Sequence, residues 1–168
     1  MASRPTGGAA DGALTFPTGG LEPGAHQSLL VDGAGTVLSR SPFWLYGAGA
    51  GPSLRTTKEV YEVGEPIRVR WRAAPGYRFD WLGVFAPGRG PGKNAANCNA
   101  GTCGNGHYLL YHYTEAQIQG STLIGPASFA GYRTWPLKLG RYEIRLLMDD
   151  GYRLLAISNR FKVVRASP

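Results

Sequence analysis

The sequence predicts an all-β fold, an antiparallel β-sandwich preceded by an extra N-terminal β-hairpin, and three observations carry that prediction. Short apolar runs alternate with polar residues at a period of two, which puts every second side chain on one face of a strand. Turn residues interrupt these runs throughout, with 25 Gly and 12 Pro in 168 residues, a punctuation that disfavours long helices. The third observation is a hairpin pattern that occurs twice.

The clearer copy is GRYEIRLLMDDGYRLLAISNRFKVV, residues 140–164. Tyr142, Ile144, Leu146 and Met148 alternate with Glu143, Arg145 and Leu147, the pattern of a half-buried strand. Asp149, Asp150 and Gly151 supply turn chemistry before a second β-rich run over residues 152–164. LEPGAHQSLLVDGAGTVLSRSPFWLY, residues 21–46, repeats this grammar: Gly24 falls on Gly140, Asp32 on Asp149, and Ser41-Pro42-Phe43 on the stretch from Ser158 to Phe161. A lone hairpin is marginally stable. The first copy therefore docks on the domain behind it, or closes a preceding truncated repeat, or pairs between chains as a homodimer contact.

In chain order, residues 1–12 are small, polar and Gly-rich, and are expected to be flexible. Residues 13–16 suggest a short strand, the hairpin occupies the rest of residues 13–46, and GAGAGP over residues 47–52 reads as a linker. The main domain is expected over residues 53–164, with a tail at 165–168. Residues 54–61 form a β-prone run. Ile67, Val69 and Trp71 then alternate with Arg68, Arg70 and Arg72, one face apolar and the other a row of guanidinium groups. DWLGVFA, residues 80–86, looks buried on both sides, and residues 108–113 and 121–124 are further strands. About seven strands over roughly 110 residues suit a two-sheet sandwich. The exception is PGRGPGKNAANCNAGTCGNG, residues 87–106, a long connection of the kind that is a binding loop or disordered.

The bulk properties bound function loosely. Charged residues make up 17% of the chain and hydrophobic ones 43%, with a net charge of +7. Arg dominates the basic residues, and basicity alone assigns no partner. No apolar run of about 18 residues is present, so no membrane span is expected. Residues 1–10 lack the layout of a signal peptide, so any export signal is expected outside this sequence.

Several groups bear chemistry. Cys98 and Cys103 precede His107 and His112, a spacing that matches no standard zinc site. A local disulfide between Cys98 and Cys103 is preferred over zinc or free thiols, and it would imply an oxidising compartment. Asp32, Asp149 and Asp150 serve as turn residues before calcium ligands, and Asp80 marks a strand entry before a catalytic carboxylate. No metal or other cofactor is expected. Tyr108, Tyr111, Tyr113, Tyr132 and Trp135 form an aromatic set. In the predicted strand Tyr111 and Tyr113 share a face, with Tyr108, Leu110 and His112 on the other. Exposed rings of this kind stack on sugars or bases, or anchor a protein. The Arg68, Arg70, Arg72 stripe joined to such rings would suit single-stranded nucleic acid, but it also reads as a solvated face paired with Glu143 or Glu59. No nucleophile elbow, Walker loop or zinc-protease motif occurs, and His numbers only 3. The expectation is a protein that is not an enzyme.

YEVGEPI at residues 61–67, DWLGVF at 80–85, the aromatic run at 108–113 and the closing Gly-x-Tyr strand with its Asp-Gly hairpin together resemble a known family. They are similar to the immunoglobulin-like accessory repeats of secreted bacterial phosphoesterases and other hydrolases, and more distantly to SKICH domains. The resemblance covers residues 53–164, with 21–46 looking like the last third of another copy. It implies an immunoglobulin-like sandwich used for attachment or targeting, part of a larger exported chain in an extracellular or periplasmic setting. The Cys-bearing loop departs from the family pattern.

The combined expectation is a non-catalytic binding module that takes a polysaccharide or a protein. Its surface would be the 87–106 loop with Tyr108, Tyr111, Tyr113 and Trp135, and Arg68 and Arg70 nearby. The alternatives are a structural spacer, a self-association module, and a binder of single-stranded nucleic acid through the Arg face.

Overall fold

The computed structural model describes residues 3–9, 11–88, 108–131, 133 and 135–166. The predicted binding loop beyond Gly88, with Cys98, Cys103 and His107, lies outside the described residues, as does Tyr132. The described chain is all-β. Its strands are β1 Gly24–Val31, β2 Val37–Leu45, β3 Ser53–Thr56, β4 Val60–Glu62, β5 Ile67–Arg72, β6 Trp81–Phe85, β7 Leu110–Tyr113, β8 Gln119–Ile124, β9 Phe129–Ala130, β10 Gly140–Met148, β11 Arg153–Ile157 and β12 Phe161–Val164. Among the described residues no helix is long and apolar enough to cross a membrane. Residues 13–16, expected as a strand, form none.

Two sheets build the main domain. The smaller runs β3-β5-β8 and the larger β4-β12-β10-β6-β7-β9, with β11 continuing beside β10. The expected run over residues 54–61 is split, because β3 pairs with β5 in the small sheet while β4 crosses to pair with β12 in the large one. That second pairing is parallel, which corrects the expectation of a wholly antiparallel arrangement. β4, near the start of the domain, and β12, its last strand, run the same way and meet at one sheet edge.

Inward side chains of both sheets meet in one core. Leu54, Ile67, Val69 and Ile124 come from the small sheet, and Leu82, Val84, Leu110, Ile144, Leu146 and Phe161 from the large one. Each such fully buried side chain stabilises the fold by about 1.5–3 kcal/mol. The predicted alternation in β5 holds residue by residue, with Ile67, Val69 and Trp71 buried and Arg68, Arg70 and Arg72 exposed. In β10 it does not, since Tyr142 through Leu147 are all buried. The strand is covered on both faces, because a layer of aromatic side chains lies on the outer side of the large sheet.

The two hairpins share an opposed aromatic pair and a register slip near the turn, and differ in the turn itself. In β10 and β12 Tyr142 stands opposite Phe161, with ring centroids 5.9 Å apart. In β1 and β2 His26 stands opposite Phe43, with the rings stacked at 5.6 Å. Both ladders slip by one residue near the turn, between Leu30 and Val31 and between Leu146 and Leu147. Asp149 and Asp150 take positive φ at the second turn, 46° and 56°. At the first, Asp32 accepts from the backbone N–H groups of Ala34 and Thr36 at 2.9 and 2.8 Å, which hold its carboxyl below the usual range. The first hairpin docks on the main domain only by its end. Tyr46 Oη donates to the Ala73 carbonyl at 2.8 Å, and the Arg72 guanidinium lies 5.4 Å from the Trp44 ring centre. Its tip, with Leu29, Leu30, Val31 and Leu38, is exposed.

Candidate functional site

The outer face of the large sheet carries the chain's aromatic concentration, and Trp81 sits at its centre. Rings of Tyr108, Tyr152 and Tyr111 approach it edge-on at 5.2, 5.7 and 6.2 Å, and its indole Nε1 donates to the Gly151 carbonyl at 2.9 Å. Edge-on contact sets the positive ring edge against the negative face of its neighbour. Gly83, midway along β6, makes room for this layer. A Cβ there would sit 2.7 Å from both the Trp81 and Phe85 rings, so the glycine in DWLGVF is a packing requirement.

Beside the rings lies a buried ion pair. Glu143 Oε1 accepts from Arg145 Nη2 at 2.7 Å and Nε at 3.1 Å, with both side chains only 6% exposed. The Arg145 guanidinium also covers the Phe85 ring, 4.7 Å from its centre. Glu143 therefore pairs along its own strand. The cross-strand pairing expected with the Arg68, Arg70, Arg72 stripe is absent among the described ion pairs, because those arginines lie on the other sheet.

Away from Trp81 the layer opens to solvent. Tyr111 stacks on Phe129 at 5.0 Å and meets Tyr113 at 5.7 Å, while Tyr113 meets Phe79 at 5.9 Å and Phe129 at 6.2 Å. Phe79 and Phe129 are 45% and 51% exposed, which makes this rim the wet end of the layer. A groove of about 390 Å³ runs here between Arg78, Phe79, His112, Tyr113, Glu115 and Phe129. Its walls stand where β7 has passed the short β9 and no longer has a partner on that side. His112 Nδ1 is buried there without a hydrogen-bond partner among the described residues. Tyr113 Oη donates to Asp150 Oδ1 at 2.9 Å. Burial first, and this carboxylate second, push its phenol up to about 12.

Asp80 holds the floor of this region together. Its Oδ2 accepts from the N–H groups of Gly76 and Tyr77, and its Oδ1 from that of Asp149, each at 3.1 Å. It thereby ties the turn before β6 to the turn after β10. Burial raises its pKa against the lowering effect of these amides. The role is structural, as expected for a strand-entry carboxylate, and Asp149 and Asp150 are turn residues. Among the described residues no group of three or more His, Cys, Asp or Glu is placed to hold a metal ion.

The structure thus brings together only part of the predicted site. Tyr111 and Tyr113 share a face as expected. Tyr108, which precedes β7, departs from the alternation and joins them through its contacts with Trp81 and Tyr111. Trp135 packs, partly buried, against the main core and stands apart from the groove. Arg68, Arg70 and Arg72 face outward from the small sheet, across the core from the rings. Phe79, Arg78, Glu115 and Phe129 were missed. Phe79 was findable, since it shares strand parity with Trp81, whereas nothing local in the sequence marks Phe129.

These features define a β-sheet domain with an aromatic layer that ends in an open groove. No protein-family model matches the chain. The chain is similar to a phosphatidylethanolamine N-methyltransferase of Laccaria bicolor, 26% identical over 157 residues, covering 86% of this chain and 17% of that protein. The chain therefore spans a small part of that relative's length. The similarity runs against the expectation of a protein that is not an enzyme, because the related protein is named as a methyltransferase.

Proposed function

We propose that the chain is an immunoglobulin-like β-sandwich that serves as a binding domain within a longer, methyltransferase-related protein, with its aromatic groove taking a segment of protein. Two sheets closing on one core, with the first strand shared between them as β3 and β4, support the sandwich. The similarity to part of a methyltransferase supports the larger setting.

The rim geometry carries the choice of ligand. Tyr113 stands at 68° to Phe79 and at 63° to Phe129, and the three rings line one groove, so they wall a slot. Sugar rings favour a flat platform, while a slot flanked by Arg78 and Glu115 suits an inserted apolar side chain with polar neighbours. A photo-crosslinking residue at position 129 of the full-length protein tests this. One dominant protein crosslink is expected, absent from the same residue at position 153. No crosslink above that control, or glycan-array binding lost in Phe129→Ala, overturns it.

A second reading, self-association through the N-terminal hairpin, is favoured by one observation. The face of β1 and β2 that bears His26, Leu30 and Phe43 matches the core-facing side of the second hairpin, yet here its tip is exposed.

A further inference from the structure

We propose that the outward face of the small sheet, built on Arg55, Arg68, Arg70 and Arg72, docks on a bilayer of anionic phospholipid. Arg55 was not part of the predicted stripe. The register of β3 against β5 places it directly opposite Arg70, and both are exposed. Like charges directly opposite across a strand pair repel and lower stability. This sheet nonetheless concentrates four guanidinium groups on one side, and none of the outward residues of β3, β5 or β8 is acidic. The others are Ser53, Gln119, Ser121 and Leu123. An external anion relieves that repulsion.

The shape of the face selects the kind of anion. Successive arginines of β5 stand about 7 Å apart along the strand, so the charges form a flat grid. A shallow recess of about 700 Å³ opens between Arg55, Arg70 and Arg72 beside Ser53 and Gln119, where a phosphate group finds both charge and hydrogen-bond donors. Leu123, 46% exposed and opposite Arg68, adds an apolar side chain at the level where a lipid interface begins. Single-stranded nucleic acid asks for stacking rings among the cations. The exposed ring cluster of Phe79, Tyr113 and Phe129 lies on the far side of the large sheet, and the ring beside this face, Trp44, is already covered by the Arg72 guanidinium at 5.4 Å, so among the described residues the face offers charge without a free stacking platform. A flat anionic surface fits it better.

Co-sedimentation with vesicles tests the proposal, using phosphatidylcholine alone and phosphatidylcholine with about a third phosphatidylserine. Each arginine near an anionic surface contributes about a fivefold gain in partitioning. The double variant Arg55→Ala/Arg70→Ala is therefore expected to bind the mixed vesicles at least about tenfold more weakly. Arg153→Ala, which removes an exposed charge from β11, should change binding little. Thermal unfolding checks integrity, and loss of the Arg55–Arg70 repulsion should leave the double variant no less stable than the parent. Equal binding to both vesicle types, or an equal loss in Arg153→Ala, overturns the proposal. So does tight binding of a single-stranded oligonucleotide that depends on the same two arginines, which would make nucleic acid the occupant.

Discussion

Glu143 and Arg145 show how a residue's surroundings can override its chemistry. Both occupy positions that alternation assigns to solvent, yet both are buried, because Trp81, Phe85 and their aromatic neighbours cover that side of β10. Burying charge is costly unless the partner is close and hydrogen-bonded, and removing one member of such a pair costs about 3–5 kcal/mol. Glu143→Ala is expected to lose that much in chemical denaturation, whereas Arg160→Ala, which touches Glu143 at 3.5 Å from an exposed position, should cost little. Asp80 makes a prediction in pH. Its folded pKa is raised above the ordinary 3.8 by burial, so its contribution is fully present below that value and is lost as pH rises through the folded pKa. Asp80→Asn removes this titration. The stability advantage of the parent over the variant should shrink in urea unfolding as pH rises from the ordinary 3.8 through the raised folded pKa. An advantage that widened with pH would show that the three amide hydrogen bonds outweigh desolvation.

At the scale of elements, the two hairpins differ in what covers them. In the second, Tyr142, Ile144, Leu146 and Phe161 are buried in the main core. In the first, the return strand meets the domain near Trp44 and Tyr46, with the Pro42 carbonyl close to Gly76, and Leu30 is left 47% exposed. The first hairpin was legible from Gly24, Asp32 and the alternating residues between them, because hairpin turns demand particular residues. The docking was not, because it depends on the Ala73 carbonyl and on Arg72, contacts that no local pattern encodes. If the hairpin joins copies, sedimentation velocity should show a dimer fraction that rises with concentration and falls in Leu30→Asp. A monomer at all concentrations would leave the tip to some other partner.

At the scale of the whole molecule, the separation of the rings from the arginine face matters most. Linear order placed Arg68, Arg70 and Arg72 within reach of the aromatic run by any loop, but the two sheets hold them on opposite sides of one core. The groove at Tyr113 and the arginines around Arg70 are therefore two separate surfaces. Period-two alternation and turn chemistry settled the β class, most strand positions and the two hairpins, because these depend on residues a few positions apart. Tertiary structure alone decided that β4 runs parallel to β12, that Glu143 and Arg145 are interior, that Tyr108 turns toward Trp81, and that Phe79 and Phe129 line one groove beside Tyr113. Each is a contact between residues distant in sequence, set by which sheet faces come together, and a single chain of letters carries no record of that distance.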